Sequence, residues 1–125
     1  VYEFKNNMIE CDLLIGHNVS FDKRMLIVEG IRNKINLNLI TTYCTMKNSV
    51  ELCKIEKINY ENKKYLKYPT LNELYFYLFN INPKKLHNAY IDVLVCLKCY
   101  LMMEKKINVT TVNRELRLFF RNIIN

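Results

Sequence analysis

The sequence predicts a single α/β domain, and three observations support this. The stretch DLLIGHN, residues 12–18, is a short apolar run closed by Gly16, which is typical of a strand buried on both faces of a parallel sheet. A helical repeat of apolar residues follows it directly. The chain has 125 residues, half of them hydrophobic, enough for one domain over residues 1–125 with a modest core and too few for a second.

Composition narrows the class of protein further. No stretch reaches the roughly 18 consecutive apolar residues of a membrane span, so we expect a soluble protein without a membrane partner. Five cysteines, an odd number without a secretion signal, predict free, core-packed thiols in a reducing, cytoplasmic setting. Because the sequence opens on Val1 and not on Met, we also expect that an N-terminal segment precedes it.

The chain is basic, with a formal net charge of +7. Such a charge favours polyanionic partners, and nucleic acid is the leading candidate. The alternative is that the lysines only solvate the surface, because the sequence is rich in Lys, Asn and Ile throughout. Charge alone does not decide between the two.

The elements of the first half are predicted from apolar spacing and capping residues. Residues 2–9 are weakly helical. Ser20 is predicted to cap the helix after the first strand, with Asp22 in its first turn. A second strand is expected within residues 37–46. The residues of the first helix expected to face the core are Phe21, Met25, Val28 and Ile31.

A helix and a loop are predicted in the middle of the chain. Asn48 with Glu51 three positions later matches a capping box, which predicts a helix over residues 50–58. Residues 59–69 are polar and basic and end in Pro69, which predicts an exposed loop.

Three helices are expected in the second half. Thr70 and Glu73 match another capping box, and the apolar positions after it are Leu71, Leu74, Leu78 and Phe79. The longest helix begins near Asn88 and runs to about Lys105, with an inward stripe of Asp92, Val95, Cys96, Cys99, Met102 and Met103. A final helix has an apolar face of Val112, Leu116, Phe119 and Ile123, and a basic face of Arg114, Arg117 and Arg121.

Asp92 is the first residue that suggests chemistry, because a carboxylate on an apolar stripe is costly to bury without an arginine or a metal ion beside it. His87 lies just before the same helix. Asp22 follows a buried strand, and α/β proteins gather ligands at the carboxyl ends of parallel strands. We therefore expect these three side chains to meet in one cleft. Two carboxylates suit Mg²⁺ or Mn²⁺, whereas one histidine without a matching cysteine pair does not suit zinc.

Two stretches resemble motifs of a known family. GHNVSFD, residues 16–22, resembles the second exonuclease motif of the DnaQ-like (DEDDh) 3′-to-5′ exonucleases, and HNAYID, residues 87–92, resembles the third. The stretches CTM and YPTLNELYFYLF between them are also similar, in the same order, and the overall pattern is similar to versions from large DNA viruses. The resemblance implies a ribonuclease H-like fold, truncated at its N-terminus to two sheet strands and about five helices.

The resemblance also implies an activity and roles for residues. Asp22 and Asp92 would bind two Mg²⁺ or Mn²⁺ ions, and His87 would be the general base in hydrolysis at DNA or RNA 3′ ends. His17 would only satisfy local hydrogen bonds, and Phe21 would pack under the site. A polymerase is an implied partner, and a viral replication site an implied location. The residues expected to contact nucleic acid are Asn18, Phe21 and Asn88.

The sequence departs from the family at its first motif, an acidic D-x-E on the opening strand. Before the second motif it has only Glu3, Glu10 and Asp12, and ECD has the reverse order. We therefore expect negligible catalysis by this sequence without a preceding segment.

Two other interpretations stay open. One is a non-catalytic module of the same descent that binds nucleic acid or a polymerase through its basic residues. These residues are Arg114, Arg117, Arg121, Lys63 and Lys64. The other is a small structural protein in which Asp22, His87 and Asp92 form a buried hydrogen-bonded cluster.

Overall fold

The computed structural model describes residues 11–36, 41–84 and 87–125, and they form a mixed α/β fold. Strand β1 (Leu14–Gly16) pairs in parallel with strand β2 (Thr42–Cys44), and helix α1 (Val19–Arg32) lies between them in sequence. Because the strands run the same way, both of their carboxyl ends lie at one edge of the sheet. The presence of helices together with this strand pair confirms the predicted α/β class and the first two predicted strands.

The other elements are mostly helical. Short helices α2 (Thr45–Asn48) and α3 (Val50–Cys53) are followed by an antiparallel hairpin of β3 (Glu56–Ile58) and β4 (Lys64–Leu66). Helices α4 (Leu71–Phe79), α5 (Ala89–Tyr100), α6 (Val109–Val112) and α7 (Arg114–Phe119) complete the described chain. Helices α5 and α7 continue directly into π-helical segments, Leu101–Lys105 and Phe120–Ile124. None of the helices in the described residues has the length and apolar character needed to cross a membrane.

The core lies where α4, α5 and the last π-helical segment meet. The two long helices of this region begin where predicted, and side chains cap both N-termini. Thr70 and Glu73 form the capping box of α4, with bonds of 3.0 and 3.1 Å, and the Asn88 side chain caps α5. The buried residues of this core cluster are Leu74, Tyr75, Ile91, Val95, Cys99, Phe120 and Ile124. The three arginines of the predicted basic face lie outside this core and are exposed.

The predicted inward face of α1 is wrong. Its four residues are all exposed: Phe21 at 53%, Met25 at 50%, Val28 at 44% and Ile31 at 71%. The residues that α1 buries are Val19 and Gly30. Within the described residues β1 has a strand neighbour on one side only, so α1 has a narrow surface to cover. For the same reason β1 itself is only half-buried at its two apolar residues.

The predicted cap of α1 is also wrong. Asn18 occupies the N-cap position in the left-handed backbone region, with φ 73°, and its carbonyl accepts the N–H of Phe21. Ser20 lies inside the helix, where its hydroxyl accepts a bond from Lys47 at 3.4 Å. A backbone turn at Asn18 therefore starts the helix two residues earlier than a serine cap would.

The predicted helix over residues 50–58 ends at Cys53, because Lys54 adopts a left-handed backbone with φ 49°. Residues 56–58 form strand β3 instead. Asn48 is not a cap: it ends α2, and its side chain donates to the carbonyl of Cys44 at 2.8 Å. Residues 59–69 are largely exposed, as predicted, but they complete a hairpin. Asn59 closes its turn by accepting the N–H groups of Glu61 and Lys63.

The predicted C-terminal helix is divided at Asn113. This residue has an extended backbone, with φ −130°, and its side chain caps α7 by accepting the N–H of Leu116 at 2.9 Å. Val112 consequently belongs to a separate short helix and is 72% exposed, not inward. Leu116, Phe119 and Ile123 do pack against the core as predicted.

Two further predictions have mixed outcomes. Cys44, Cys96 and Cys99 are buried and Cys53 is partly buried, all as free thiols, whereas Cys11 is exposed and does not pack in the core. The weak helix expected at residues 2–9 lies outside the described residues, as do positions 37–40 of the second predicted strand region.

Lys98 is a buried cation that the apolar pattern of α5 did not indicate. Its Nζ lies 4.0 Å from the ring centre of Phe79, 4.8 Å from that of Tyr75 and 4.7 Å from that of Phe120. It also donates to the Tyr75 hydroxyl at 2.9 Å, which in turn donates to Asn125 at 2.7 Å. The aromatic faces compensate part of the cost of burying the ammonium group. Burial nevertheless lowers the pKa of Lys98 to about 8.

This burial predicts a pH-dependent difference between the wild type and Lys98→Met. The folded protein releases the Lys98 proton near pH 8, whereas the unfolded chain keeps it to about pH 10.4. The cost of the buried charge therefore applies below pH 8 and disappears as the pH rises through this window. We expect the free energy of unfolding of the wild type to gain on the order of 3 kcal/mol relative to the variant between pH 7 and 10.5. Urea unfolding of both proteins at four pH values measures this difference. Parallel pH profiles of the free energy of unfolding for the wild type and Lys98→Met would contradict the prediction.

Candidate functional site

Asp22 lies against the carboxyl end of β1. The backbone turn at Asn18 begins α1 at once, so Asp22 falls in the first helical turn, as predicted. Gly16 allows the close approach, because a Cβ atom added there would stand 2.8 Å from Asp22 Oδ2. Burial of the carboxyl raises the pKa of Asp22, although the residue as a whole is exposed. Asp22 therefore lies at the edge of the sheet, beside Gly16, and not in the core.

His17 joins three segments below this edge. Its Nε2 donates to the carbonyl of Pro69 at 2.8 Å, and its Nδ1 lies 3.0 Å from the hydroxyl of Thr45. Burial lowers the pKa of His17, and the bond to Pro69 opposes that shift. The buried Thr45 also donates to the carbonyl of Gly16 at 3.3 Å. His17 therefore forms hydrogen bonds as predicted, but its partners lie 28 and 52 residues away in sequence and are not local.

Asp92 lies in the first turn of α5, half-buried. Its Oδ1 accepts the backbone N–H of His87 at 3.1 Å, and His87 has a left-handed backbone with φ 82°. In the part of the chain that the structure describes, no arginine or lysine forms an ion pair with Asp92. The carboxylate is therefore tied to the loop before α5 and has no neutralising cation there.

The two carboxylates share a cleft. Asp22 and Asp92 both line an opening of about 610 Å³, whose other walls are mostly apolar. His87 lines a neighbouring cleft of about 480 Å³, and Asp92 and Leu71 form the boundary of both. The structure thus brings Asp22 to Asp92 and His87 to Asp92, but it does not place all three in one cleft. The other residues of the larger cleft include Leu14, Ile15, Val93, Cys96 and Leu97.

The residues predicted to contact nucleic acid are all exposed. Asn18 lies at the N-cap of α1, and Phe21, at 53% exposure, does not pack under the site as expected. The Asn88 side-chain oxygen accepts the N–H groups of Tyr90 and Ile91 at 3.0 and 3.4 Å, so it caps α5. Asn18 and Phe21 keep their side chains accessible to a ligand.

The cleft offers two carboxylates as ligands and no closed set of protein ligands within the described residues. Among residues 11–36, 41–84 and 87–125, no three His, Cys, Asp or Glu side chains come together as a metal-binding group. Mg²⁺, however, is commonly held by one or two carboxylates, with water and substrate phosphates as its other ligands. Asp22 and Asp92 are two carboxylates that line one open cleft.

The structural interpretation of the same residues is not supported by the geometry. Asp22 and His87 are exposed, and the hydrogen bond between His87 and Asp92 uses the backbone N–H of His87. A buried hydrogen-bonded cluster of the three side chains is therefore wrong. Gly16 and Thr45 were not predicted to contribute to the site. Gly16 allows the close approach of Asp22, and Thr45 donates to the carbonyl of Gly16. The CTM stretch, which contains Thr45, could have indicated this residue from the sequence.

Comparison of the chain with protein-family models, curated proteins and solved structures finds no match. A ribonuclease H-like fold and membership of an exonuclease family therefore stay predictions from the motifs. A function for the chain therefore has to be inferred from the residues of the cleft and its surroundings.

The close approach at Gly16 predicts a coupled effect on stability. In Gly16→Ala the new methyl would meet Asp22 Oδ2 at 2.8 Å and the Cβ and Cα atoms of Val19 at 3.2 and 3.3 Å, so we expect a loss of about 1–3 kcal/mol in the free energy of unfolding. In an Asp22→Ala background the same substitution should cost less, because the shortest of the three contacts is gone. Urea unfolding of the four proteins measures the coupling. An equal cost in both backgrounds would contradict the placement of Asp22.

Proposed function

We propose that this chain carries the catalytic cleft of a Mg²⁺-dependent 3′-to-5′ exonuclease that acts on DNA or RNA ends. The observation that supports this is the shared cleft of Asp22 and Asp92, two carboxylates far apart in sequence. Each lies in the first turn of a helix, in the contexts that the resemblance implies. A polymerase partner belongs to the same proposal.

In this proposal each residue has a distinct role. Asp22 and Asp92 would hold the divalent cation, and the chemistry that such an ion would supply when bound is activation of water and stabilisation of the leaving oxygen of the phosphodiester. His87 would be the general base that accepts the proton lost by the attacking water. Its backbone N–H donates to Asp92, and the exposed residue lines the cleft that Asp92 also lines. Further ligands of a second ion would come from acids outside the described residues, from water and from the substrate.

A non-catalytic binding module is the second candidate. Arg114, Arg117 and Arg121 are exposed on the C-terminal segment, and within the described residues none of them forms an ion pair. A protein that only binds would show steep salt dependence and no requirement for a divalent cation. The metal requirement therefore separates the two candidates.

The test is a cleavage assay with the complete gene product, including whatever residues precede Val1. Single-stranded DNA and RNA oligonucleotides with a 5′ label are incubated with Mg²⁺, Mn²⁺ or EDTA. We expect progressive shortening from the 3′ end and release of nucleoside monophosphates with either cation, and no reaction in EDTA. Circular single-stranded DNA, which has no 3′ end, is the control and should stay intact. Absence of shortening with both cations would overturn the proposal.

A further inference from the structure

We propose that the β3–β4 hairpin, residues 56–68, binds single-stranded nucleic acid by stacking bases on Tyr60 and Tyr65. This deepens the proposed function, because the strand held by the hairpin would be the one whose 3′ end enters the cleft. Its role in cleavage rests on the proposed function, whereas the binding itself can be measured without any cleavage.

The hairpin exposes tyrosine rings on a well-defined backbone. Tyr60 is 97% exposed at the turn, Tyr65 is 44% exposed on β4, and Tyr68 is 58% exposed just after it. The turn is held by the Asn59 side chain, which accepts two backbone N–H groups, and by a backbone bond from Asn62 to Asn59. These bonds fix the backbone that carries Tyr60. Exposed aromatic rings on which successive bases stack are the usual basis of single-strand binding without sequence preference.

Lysines surround these rings. Residues 54–68 contain five lysines and two glutamates. Glu61 lies 3.9 Å from Lys63, and Lys67 is paired with Glu73 at 2.8 Å. Of these five lysines, Lys54, Lys57 and Lys64 form no ion pair with another described residue.

The strand register places charge beside a ring. Lys57 lies directly opposite Tyr65 in the antiparallel pair, and directly opposed residues project from the same face of a hairpin. An ammonium group next to a stacking ring can contact the phosphate of the base stacked there. This pairing of charge and ring is complementary to a nucleotide strand, not to an apolar partner.

The hairpin leads directly to the candidate site. Pro69, which follows the exposed Tyr68, is buried and its carbonyl accepts the bond from His17. Thr70 and Leu71, the next residues, line the cleft that contains His87 and Asp92. The end of the hairpin at Tyr68 is therefore joined to the wall of that cleft through Pro69.

A second copy of the chain is the competing occupant, because a two-stranded hairpin has open edges. Lysines on an edge strand oppose pairing with an identical, equally charged edge. The overall charge of +7 has the same effect on two copies of the chain. Charge complementarity thus favours a polyanion over a second copy.

The test measures binding in EDTA, so that no cleavage occurs. Fluorescence anisotropy with labelled 12-nucleotide thymidine and uridine strands, and with a 12-base-pair duplex, gives Kd for the wild type and its variants. We expect Tyr60→Ala and Tyr65→Ala each to weaken single-strand binding roughly 5- to 20-fold and to change duplex binding little. The matched control Tyr77→Ala removes a ring of 52% exposure from α4 and should leave Kd unchanged.

The lysines are tested by salt dependence. In Lys57→Gln/Lys64→Gln the slope of log Kd against log salt should fall by about 0.7 for each lysine removed, whereas Lys105→Gln should not alter it. Equal single-strand affinity in wild type and both tyrosine variants would overturn the inference, as would dimerisation that depends on Tyr60 and Tyr65. Binding that follows the expected pattern without metal-dependent cleavage would defeat the proposed function only. Cleavage with tyrosine-independent binding would defeat this inference only.

Discussion

The Asp92→Asn substitution is expected to lower the rate of 3′-end cleavage by about 10³-fold or more, which is the scale of losses for groups that act as one catalytic unit. Asparagine keeps the oxygen that accepts the His87 N–H at 3.1 Å, so the loop before α5 should stay in place. It loses the negative charge that would hold a divalent cation. Single-turnover cleavage at saturating Mg²⁺ measures the rate.

The controls for Asp92→Asn use the other acids of the chain. Asp22→Asn should cause a loss of similar size, and the double variant should be hardly worse than either single one, because both acids serve the same ions. Asp12→Asn removes a carboxylate that does not line the cleft and should be near wild type. Thermal unfolding of each variant confirms that it is folded. Wild-type cleavage by folded Asp92→Asn would defeat the nuclease proposal.

The Phe120→Ala substitution is expected to reduce the free energy of unfolding by about 3–5 kcal/mol, a large share of the roughly 5–15 kcal/mol of a typical domain. Phe120 is 1% exposed, stacks on Tyr75 at 6.3 Å between ring centres and forms part of the aromatic surroundings of Lys98. Its removal leaves a cavity and takes one ring from the buried ammonium group. Urea unfolding followed by circular dichroism measures the loss.

The same substitution at Phe21 is the matched control. Phe21 is 53% exposed on α1, so Phe21→Ala should change the free energy of unfolding by no more than about 0.5 kcal/mol. A cost at Phe21 close to that at Phe120 would mean that the outer face of α1 is buried in solution. The pair therefore tests the corrected orientation of α1 directly.

Local signals in the sequence predicted the starts of two helices well. The capping box of Thr70 and Glu73 and the cap at Asn88 both depend on atoms within three residues of each other, so their outcome hardly depends on the rest of the fold. Asp22 and Asp92 were placed in first turns for the same reason. The apparent cap at Asn48 failed because its side chain donates back to the carbonyl of Cys44, four residues earlier, and Asn48 ends α2.

The candidate site could be predicted only in part. Motif order suggested that Asp22, His87 and Asp92 would meet, and two of the three pairings occur. Leu71, which comes from α4, lies on the walls of both clefts together with Asp92. Sequence spacing carries no information about such a wall.

The amino-acid sequence by itself determined the α/β class, the parallel pair of strands, the capped helix starts and the two acids at the helix ends, because each depends on short-range spacing and hydrogen bonding. Tertiary structure alone decided which faces are buried. The apolar stripe of α1 is exposed since the described sheet beneath it is only two strands wide, whereas the charged Lys98 is buried since three rings from α4 and the C-terminal segment surround it. Burial depends on what lies opposite a side chain, and periodicity along one helix does not specify its partner.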